Sequence, residues 1–563
     1  MNKDTDVASV KWNLSELMLA VLFLIAPFYH HPNIGGAGLN VPNNITVWFV
    51  ATILVCWSLY KVAKRKEIVL PKNYFYILMF PILVTISGLL AGVVEPITWL
   101  FRLLFIWGGI LFFFSLFQSQ INQKRIIFII IVSALLHSII GMIVIFNPEM
   151  KISFIPMPIP LSPSGFFQQI NNQASFQVTA IALAAYLITT TYIIKGNIWK
   201  KMIIFIFFFC SSFIISYSGS RVGMLSFCLV LPLAILAGWR TFKIEYKSAL
   251  ISLVFIVSGF ILGNVGLGSE TNKISKITHE YTQQEGRVGI YALSLVLAKE
   301  QVILGHGIGS FESVWQYNKP AFRSQYPEIE LTDQYITHPH NELIFWAVEG
   351  GLLSVLGILI FLIVIAKSVL KHKFSEKIAY ITFLLPIILH TQVELPFYTS
   401  AVHWFLFMTI AYIIMDNSTH SVSLLNSSKL QAVKLFSLIT LFFSSLFFGQ
   451  TLNYSYLIGM NEIKKVFSES IFINPYFLEH LERVQMNAIL INMHNTKQFE
   501  NMPLYINWAT DYIQKRPAPE MLDYLAMAYH DIEQNSNMCD VLRIAKSIYP
   551  TKESFQLIYM EKC

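Results

Sequence analysis

Thirteen mostly apolar stretches dominate this chain, at roughly 14–30, 43–62, 74–92, 98–117, 126–146, 174–194, 201–217, 222–238, 248–268, 341–366, 376–395, 399–415 and 432–450. A helix that crosses a bilayer needs about 20 such residues. In hydrocarbon the backbone must satisfy its own hydrogen bonds, which selects helices. The expected fold is therefore all-α, a polytopic transmembrane helical bundle of about 13 spans. The charge deficit supports this more than the apolar excess does. Only 13% of the 563 residues are charged, against roughly a quarter in a soluble domain. The first stretch lacks a small-x-small cleavage site and many spans follow it, so it reads as a span and not a signal peptide.

The short loops give an orientation. With the N-terminus inside, the internal loops hold nineteen Lys and Arg residues, among them Lys61, Lys64, Arg65, Lys66 and Lys72 in one loop and Lys367, Lys371, Lys373 and Lys377 in another. The short external loops hold only Lys151 and Arg221. Basic residues are retained on the cytoplasmic side, so the N-terminus is expected to be cytoplasmic. The formal charge of +7 is then mostly a topology signal, and no nucleic-acid partner is expected. Two long segments fall outside, and the chain divides into spans 1–9 (1–268), a long external loop (269–340), spans 10–13 (341–450) and an external helical domain (451–563).

In that last segment charges become frequent and apolar positions recur at helical spacing, as in Phe477, Leu478, Leu481, Val484, Ala488 and Ile489. A second amphipathic pair runs through Met521–Asp531 and Met538–Ile548 and ends at Pro550. The expectation is a small helical-hairpin domain, tetratricopeptide-like in kind, that either packs near the membrane or helps hold a partner protein. Cys56, Cys210 and Cys228 lie in apolar runs as packing residues. Cys539 and Cys563 lie in the tail, where a disulfide requires an oxidising compartment.

Polar residues of interest gather at the external ends of the spans. Thr337-His338-Pro339-His340-Asn341-Glu342 closes the long loop and opens a span. Pro339 disfavours helix at His338, so His340 and Asn341 are expected near a helix start, where an imidazole can accept a proton near neutral pH. The alternative is a helix cap with a surface imidazole. Arg221, in Ser218-Gly219-Ser220-Arg221-Val222-Gly223, sits in a very short external turn. Its planar fork suits phosphate oxygens, and snorkelling to headgroups is the alternative. Arg287 begins an amphipathic stretch, Ile290–Leu297, expected at the membrane surface. Together the two arginines are able to neutralise a pyrophosphate without a metal ion.

Gly305-His306-Gly307-Ile308-Gly309-Ser310-Phe311 is no phosphate loop, because it lacks the GK[ST] and the strand–helix context. It reads as a tight turn near the site. The amides of Gln168, Gln169, Asn171, Asn172 and Gln173 precede the sixth span and suit sugar hydroxyls or phosphate, or cap the helix. Pro156-Met157-Pro158-Ile159-Pro160 before them reads as a stiff connector. Glu394-Leu395-Pro396-Phe397-Tyr398 forms an external turn with His390 and His403 nearby, and a carboxylate at that depth is a functional candidate. No metal-ligand pattern stands out, and neither metal nor cofactor is expected.

In this order and on this side, the segments resemble the O-antigen ligase superfamily, and within it the PglL-type ligases of O-linked protein glycosylation. Gln169-Ile170-Asn171-Asn172-Gln173-Ala174 is similar to the family's QPNxxA segment, departing from it at Ile170. Ser218–Arg221 is similar to its short-loop arginine, and Arg287 with Gly305, Gly307, Gly309 and Phe311 to its long loop. His340-Asn341-Glu342-Leu343 with Val348-Glu349-Gly350-Gly351 is similar to its catalytic-histidine segment. Glu394–Tyr398 with His403, and the tail with Arg516-Pro517-Ala518-Pro519-Glu520 and Tyr549-Pro550, resemble the protein-glycosylating branch.

The resemblance covers about 160–563. It implies metal-independent transfer of a glycan from undecaprenyl pyrophosphate to a hydroxyl of a pilin-like or other periplasmic protein at the bacterial inner membrane. His340 would be general base, with Arg221 and Arg287 on the leaving pyrophosphate. Gln169, Asn171, His338, Asn341, Glu394 and Tyr398 would bind the substrates. The nearest rivals are an O-antigen ligase acting on lipid A core and a Wzy-type polysaccharide polymerase. A transporter would place its polar residues at mid-membrane, not at one face.

Overall fold

The computed structural model describes residues 11–147, 155–156, 162–265, 286–416, 419–423, 427–463, 465–466 and 474–563. Lys151, most of the proline-rich connector (157–160) and residues 269–285 of the long loop lie outside the described residues.

Among the described residues the protein is all-α with one small exception. Each of the thirteen apolar stretches falls on a helix: Leu14–Leu24, Pro42–Arg65, Tyr74–Leu90, Pro96–Phe117, Gln123–Phe146, Ile170–Leu187, Ile198–Ser218, Arg221–Ile244, Tyr246–Val265, Glu342–Val369, Phe374–Thr391, Ala401–Met415 and Ser427–Gly459. Among the described residues, eight helices are long and apolar enough to cross a membrane by length and composition. Three more are apolar but shorter: Leu14–Phe28, Tyr74–Leu90 and Ala401–Met415. Ile170–Leu187, which opens on three amide side chains, and Phe374–Thr391 do not reach that measure. The exception to helix is a two-stranded antiparallel pair, Glu67–Pro71 with Thr419–Ser423, in register Glu67 to Ser423. It joins two of the basic loops assigned to the inside.

The chain forms two compact units, each assembled from separated stretches. The first takes residues 1–79, 105–268 and 360–474; the second takes 80–104, 269–359 and 475–563.

In the first unit, the helices Ile170–Leu187, Arg221–Ile244 and Phe374–Thr391 pack each against the other two. Gly223 allows the closest approach: a Cβ there would lie 2.5 Å from the Cβ of Ala174. Glu16 ties the first helix to the fifth, accepting from the Arg125 guanidinium at 2.6 Å and from the Asn122 N–H at 2.8 Å. It also closes a capping box with Asn13.

In the second unit, the tail builds its own core. The helices Leu478–Thr496, Met502–Lys515, Pro519–Asp531, Asn535–Ile548 and Glu553–Lys562 enclose Leu490, Tyr505, Leu522, Leu525, Leu542 and Tyr549. The amphipathic pair read from the sequence appears as Pro519–Asp531 and Asn535–Ile548, with Pro519 at the first helical position where its missing N–H costs nothing. Of the six apolar positions read over 477–489, Leu481 is buried while Leu478 is exposed. Cys539 and Cys563 are joined by a disulfide.

Candidate active site

Gln169, Asn171, Arg221, Glu394 and Tyr398 belong to the first unit; Arg287, His338, His340 and Asn341 belong to the second.

In the first unit, a turn with Gly165 and Gln168 both in the left-handed region (φ 56° each) delivers Gln169 in extended conformation to the start of the helix Ile170–Leu187. The Gln169 Oε1 is buried with no hydrogen-bond partner among the described residues, and a buried acceptor left unmade is costly. Two residues further, the Asn171 Oδ1 accepts from the Ser220 hydroxyl at 2.7 Å. Ser220 is the N-cap of Arg221–Ile244 and accepts in turn from the Gly223 N–H at 3.2 Å. The amide segment and the short-loop turn are thus bonded directly.

Arg221 is the exposed first residue of its helix. A cation at a helix N-terminus opposes the macrodipole, so the dipole does not favour an arginine there.

The third packed helix leads into the turn with Glu394 and Tyr398. Glu394 is buried, its N–H bonded to the His390 carbonyl at 3.0 Å; Tyr398 is half-buried in the short helix Pro396–Thr399. The Asn172 amide donates to the Thr399 hydroxyl at 3.0 Å. The Ser175 hydroxyl bridges the His390 Nδ1 at 2.8 Å and the His403 Nε2 at 3.0 Å. The amide segment is therefore bonded to the arginine turn through Asn171 and, separately, to the carboxylate turn through Asn172.

In the second unit, His340 is a non-glycine residue in the left-handed region, φ 54°, a conformation held at some cost. Its N–H donates to the His338 Nδ1 at 3.2 Å, and the two rings meet edge-on with centroids 4.4 Å apart. An accepting Nδ1 puts the proton of a neutral His338 on Nε2. Asn341 then caps the helix Glu342–Val369, its Oδ1 accepting from the Ile344 N–H at 3.0 Å, so the expected helix start is where it was read.

The His340 carbonyl accepts from the Tyr291 hydroxyl at 3.4 Å. Tyr291 stands in a helix over 286–300, four residues after Arg287. Positions four apart share a helix face, so Arg287 lies on the face that meets His340. Ile290, Leu293 and Leu297 of the same helix are buried within the unit.

The glycine-rich turn works through its backbone. Gly305, Gly307 and Gly309 all have positive φ. The His306 and Gly307 N–H groups donate to the Val348 and Glu349 carbonyls at 2.8 and 2.9 Å. Gly351, φ 58° and ψ −161°, breaks the helix Glu342–Val369 at this crossing. A Cβ on Gly351 would come 2.5 Å from the Gly305 nitrogen. Amides committed to carbonyls do not cradle phosphate; the turn anchors the helix that His340 precedes.

Two successive regions match family models. Residues 205–362 match the model described as O-antigen ligase, and residues 378–560 match the one described as virulence factor membrane-bound polymerase, C-terminal. The chain belongs to the O-antigen ligase superfamily. No curated protein sequence matches it. This makes it a multi-pass membrane protein whose activity is glycosyl transfer of the O-antigen ligase or Wzy type.

For this O-antigen ligase superfamily member, sequence reasoning missed several contributors. Glu349 entered only as one letter of a motif, and Arg102 lies inside an apolar run with no motif around it. They form a buried ion pair, with Arg102 also 4.6 Å from the Phe345 ring and the Phe311 N–H on the other Glu349 oxygen at 3.2 Å. Tyr291 and the Ser175–His390–His403 bridge were missed as well. Only the histidines carried a signal.

Proposed function

We propose that the protein transfers an oligosaccharide from undecaprenyl pyrophosphate to Ser or Thr hydroxyls of pilin-like or other periplasmic proteins at the bacterial inner membrane. The observation that carries this reading is the Tyr291–His340 bond, which brings the helix face of Arg287 to the histidine segment. A base for the hydroxyl and a cation for the departing pyrophosphate then share one locality.

The chemistry balances without a metal. The hydroxyl oxygen attacks the anomeric carbon while His340 takes its proton. The carbon–oxygen bond to the pyrophosphate breaks, the electron pair leaves on the phosphate oxygen, and attack from the opposite side inverts the anomeric centre. Arg287 and Arg221 are assigned to the charge growing on the leaving group. Gln169, whose oxygen has no partner among the described residues, and Asn171 are assigned to the donor glycan. Tyr398 and Glu394 are assigned to the acceptor side, and His338 and Asn341 to holding His340 in place. An external tail and loop accord with the Cys539–Cys563 disulfide, since disulfides persist in oxidising compartments.

A polysaccharide polymerase is the second reading, favoured by the C-terminal similarity to a membrane-bound polymerase family. Deleting the gene and comparing glycopeptides by mass spectrometry separates the two. Loss of glycan from a pilin or secreted protein is the expected result. Unchanged glycopeptides with shortened lipid-linked chains would establish the polymerase instead.

A further inference from the structure

Residues 331–340 form a strap that ends in the two histidines, and it is fastened at 333–336 by one face of a single helix. The helix Phe311–Gln325 presents Glu312, Gln316, Lys319 and Arg323, at spacings of four, three and four residues, which is one face. Each engages a successive part of the strap. Arg323 is ion-paired with Asp333. The Lys319 ammonium donates to the Gln334 carbonyl at 3.2 Å. Glu312 accepts from the Tyr335 hydroxyl, and the Gln316 amide donates to the Ile336 carbonyl at 3.4 Å. The last fastened residue, Ile336, is itself buried and stands two positions before His338.

The tail closes the same fastenings from its side. The Thr551 N–H donates to the second Asp333 oxygen at 2.7 Å. The Arg323 guanidinium also donates to the Ser547 and Ile548 carbonyls at 3.0 and 3.1 Å. Lys319, wholly buried, lies 4.7 Å from the Tyr549 ring centroid. Arg516 joins Glu312 at 3.4 Å to Glu479 at 2.8 Å. Burial and then the Glu312 carboxylate push the Tyr335 phenol far above its ordinary range, so it remains a donor.

We propose that Tyr335 and Lys319 are positioning residues, through which the C-terminal domain and the helix Phe311–Gln325 set the place of the His338–His340 pair. The C-terminal domain then acts on the transfer step itself and not solely as a surface for an acceptor. This rests on His340 being the base. Neither residue touches substrate; both act through the strap backbone.

The test uses the full-length protein in proteoliposomes, with undecaprenyl-pyrophosphate-linked oligosaccharide as donor and the acceptor that the deletion experiment identifies. Tyr335→Phe and Lys319→Met keep their packing and remove one fastening each. Hydrogen exchange of 331–340 is expected to quicken roughly fivefold to tenfold per lost bond. Over the same variants kcat falls by a similar factor, while KM for donor and acceptor stays unchanged. Unchanged exchange in the strap overturns the proposal. So does a rise in acceptor KM with kcat intact, which would make the tail a binding surface only. Faster strap exchange with kcat intact also overturns it. His340→Ala, run beside them, speaks to the base alone: full transfer by that variant sinks the base assignment whatever the strap does.

Discussion

The Glu349 carboxylate, wholly buried, is ion-paired with Arg102, a residue 247 positions earlier in the chain. The pair also takes the Phe311 N–H, so it joins the fourth apolar helix, the glycine turn and the helix behind His340. Breaking a buried pair from one side strands a charge and costs about 3–5 kcal/mol. Arg102→Met is therefore expected to lower unfolding stability by about that amount, measured by denaturant titration in detergent. The double variant Arg102→Met with Glu349→Gln, which strands no charge, should recover part of the loss. Additive losses would show that the two side chains do not act as a pair.

The left-handed backbone of His340 separates its structural from its chemical role. Asparagine tolerates that region better than most residues. His340→Asn is expected to keep the fold and the Tyr291 bond to the backbone carbonyl while losing a base. Loss of a general base typically lowers turnover about 10²–10⁴-fold. The check is the initial transfer rate in proteoliposomes beside a thermal-melting curve. A variant with a wild-type melting curve and wild-type rate would remove His340 from the chemistry.

Much of this was legible because it is local. Each hydropathy run falls on a helix among the described residues, and the helix start after His340 followed from Pro339 and Asn341. The tail pair followed from spacing and Pro519. What escaped depends on contacts far apart in sequence. Arg102 reads as an expensive charge until Glu349 is found beside it. Glu67–Pro71 reads as a basic loop until it meets Thr419–Ser423. The face made by Glu312, Gln316, Lys319 and Arg323 looks like an ordinary solvated stripe, because its partners are backbone carbonyls and a strap with no periodicity. Gly351 was visible, but the helix break it permits depends on Gly305 approaching from another segment.

The Cys539–Cys563 bridge closes a loop 24 residues long. In the chain-entropy account a loop of that size is worth about 3 kcal/mol. The paired variant Cys539→Ser with Cys563→Ser should lower the stability of the tail by up to that amount. Hydrogen exchange within Asn535–Ile548 reads the effect locally. If exchange there is unchanged while reductant leaves the wild type equally unaffected, the bridge is not formed in the protein.

Lys319 gives the tail interface a pH dependence. Burial, then the charge of Arg323, brings its ammonium down from 10.5 to about 7, with Asp333 opposing. Between those two values the unfolded chain holds a proton that the folded chain does not. Stability contributed at this site therefore rises with pH from about 7 towards 10.5, and the full burial cost is felt below 7. Lys319→Met has no proton to lose, so its stability should vary less across that window and exceed that of the wild type most clearly on the acid side. Denaturant titrations in detergent at pH 6, 7.5 and 9 measure this, read through exchange of the tail core. A difference between variant and wild type that stays constant over the three values would mean that Lys319 does not titrate in that range.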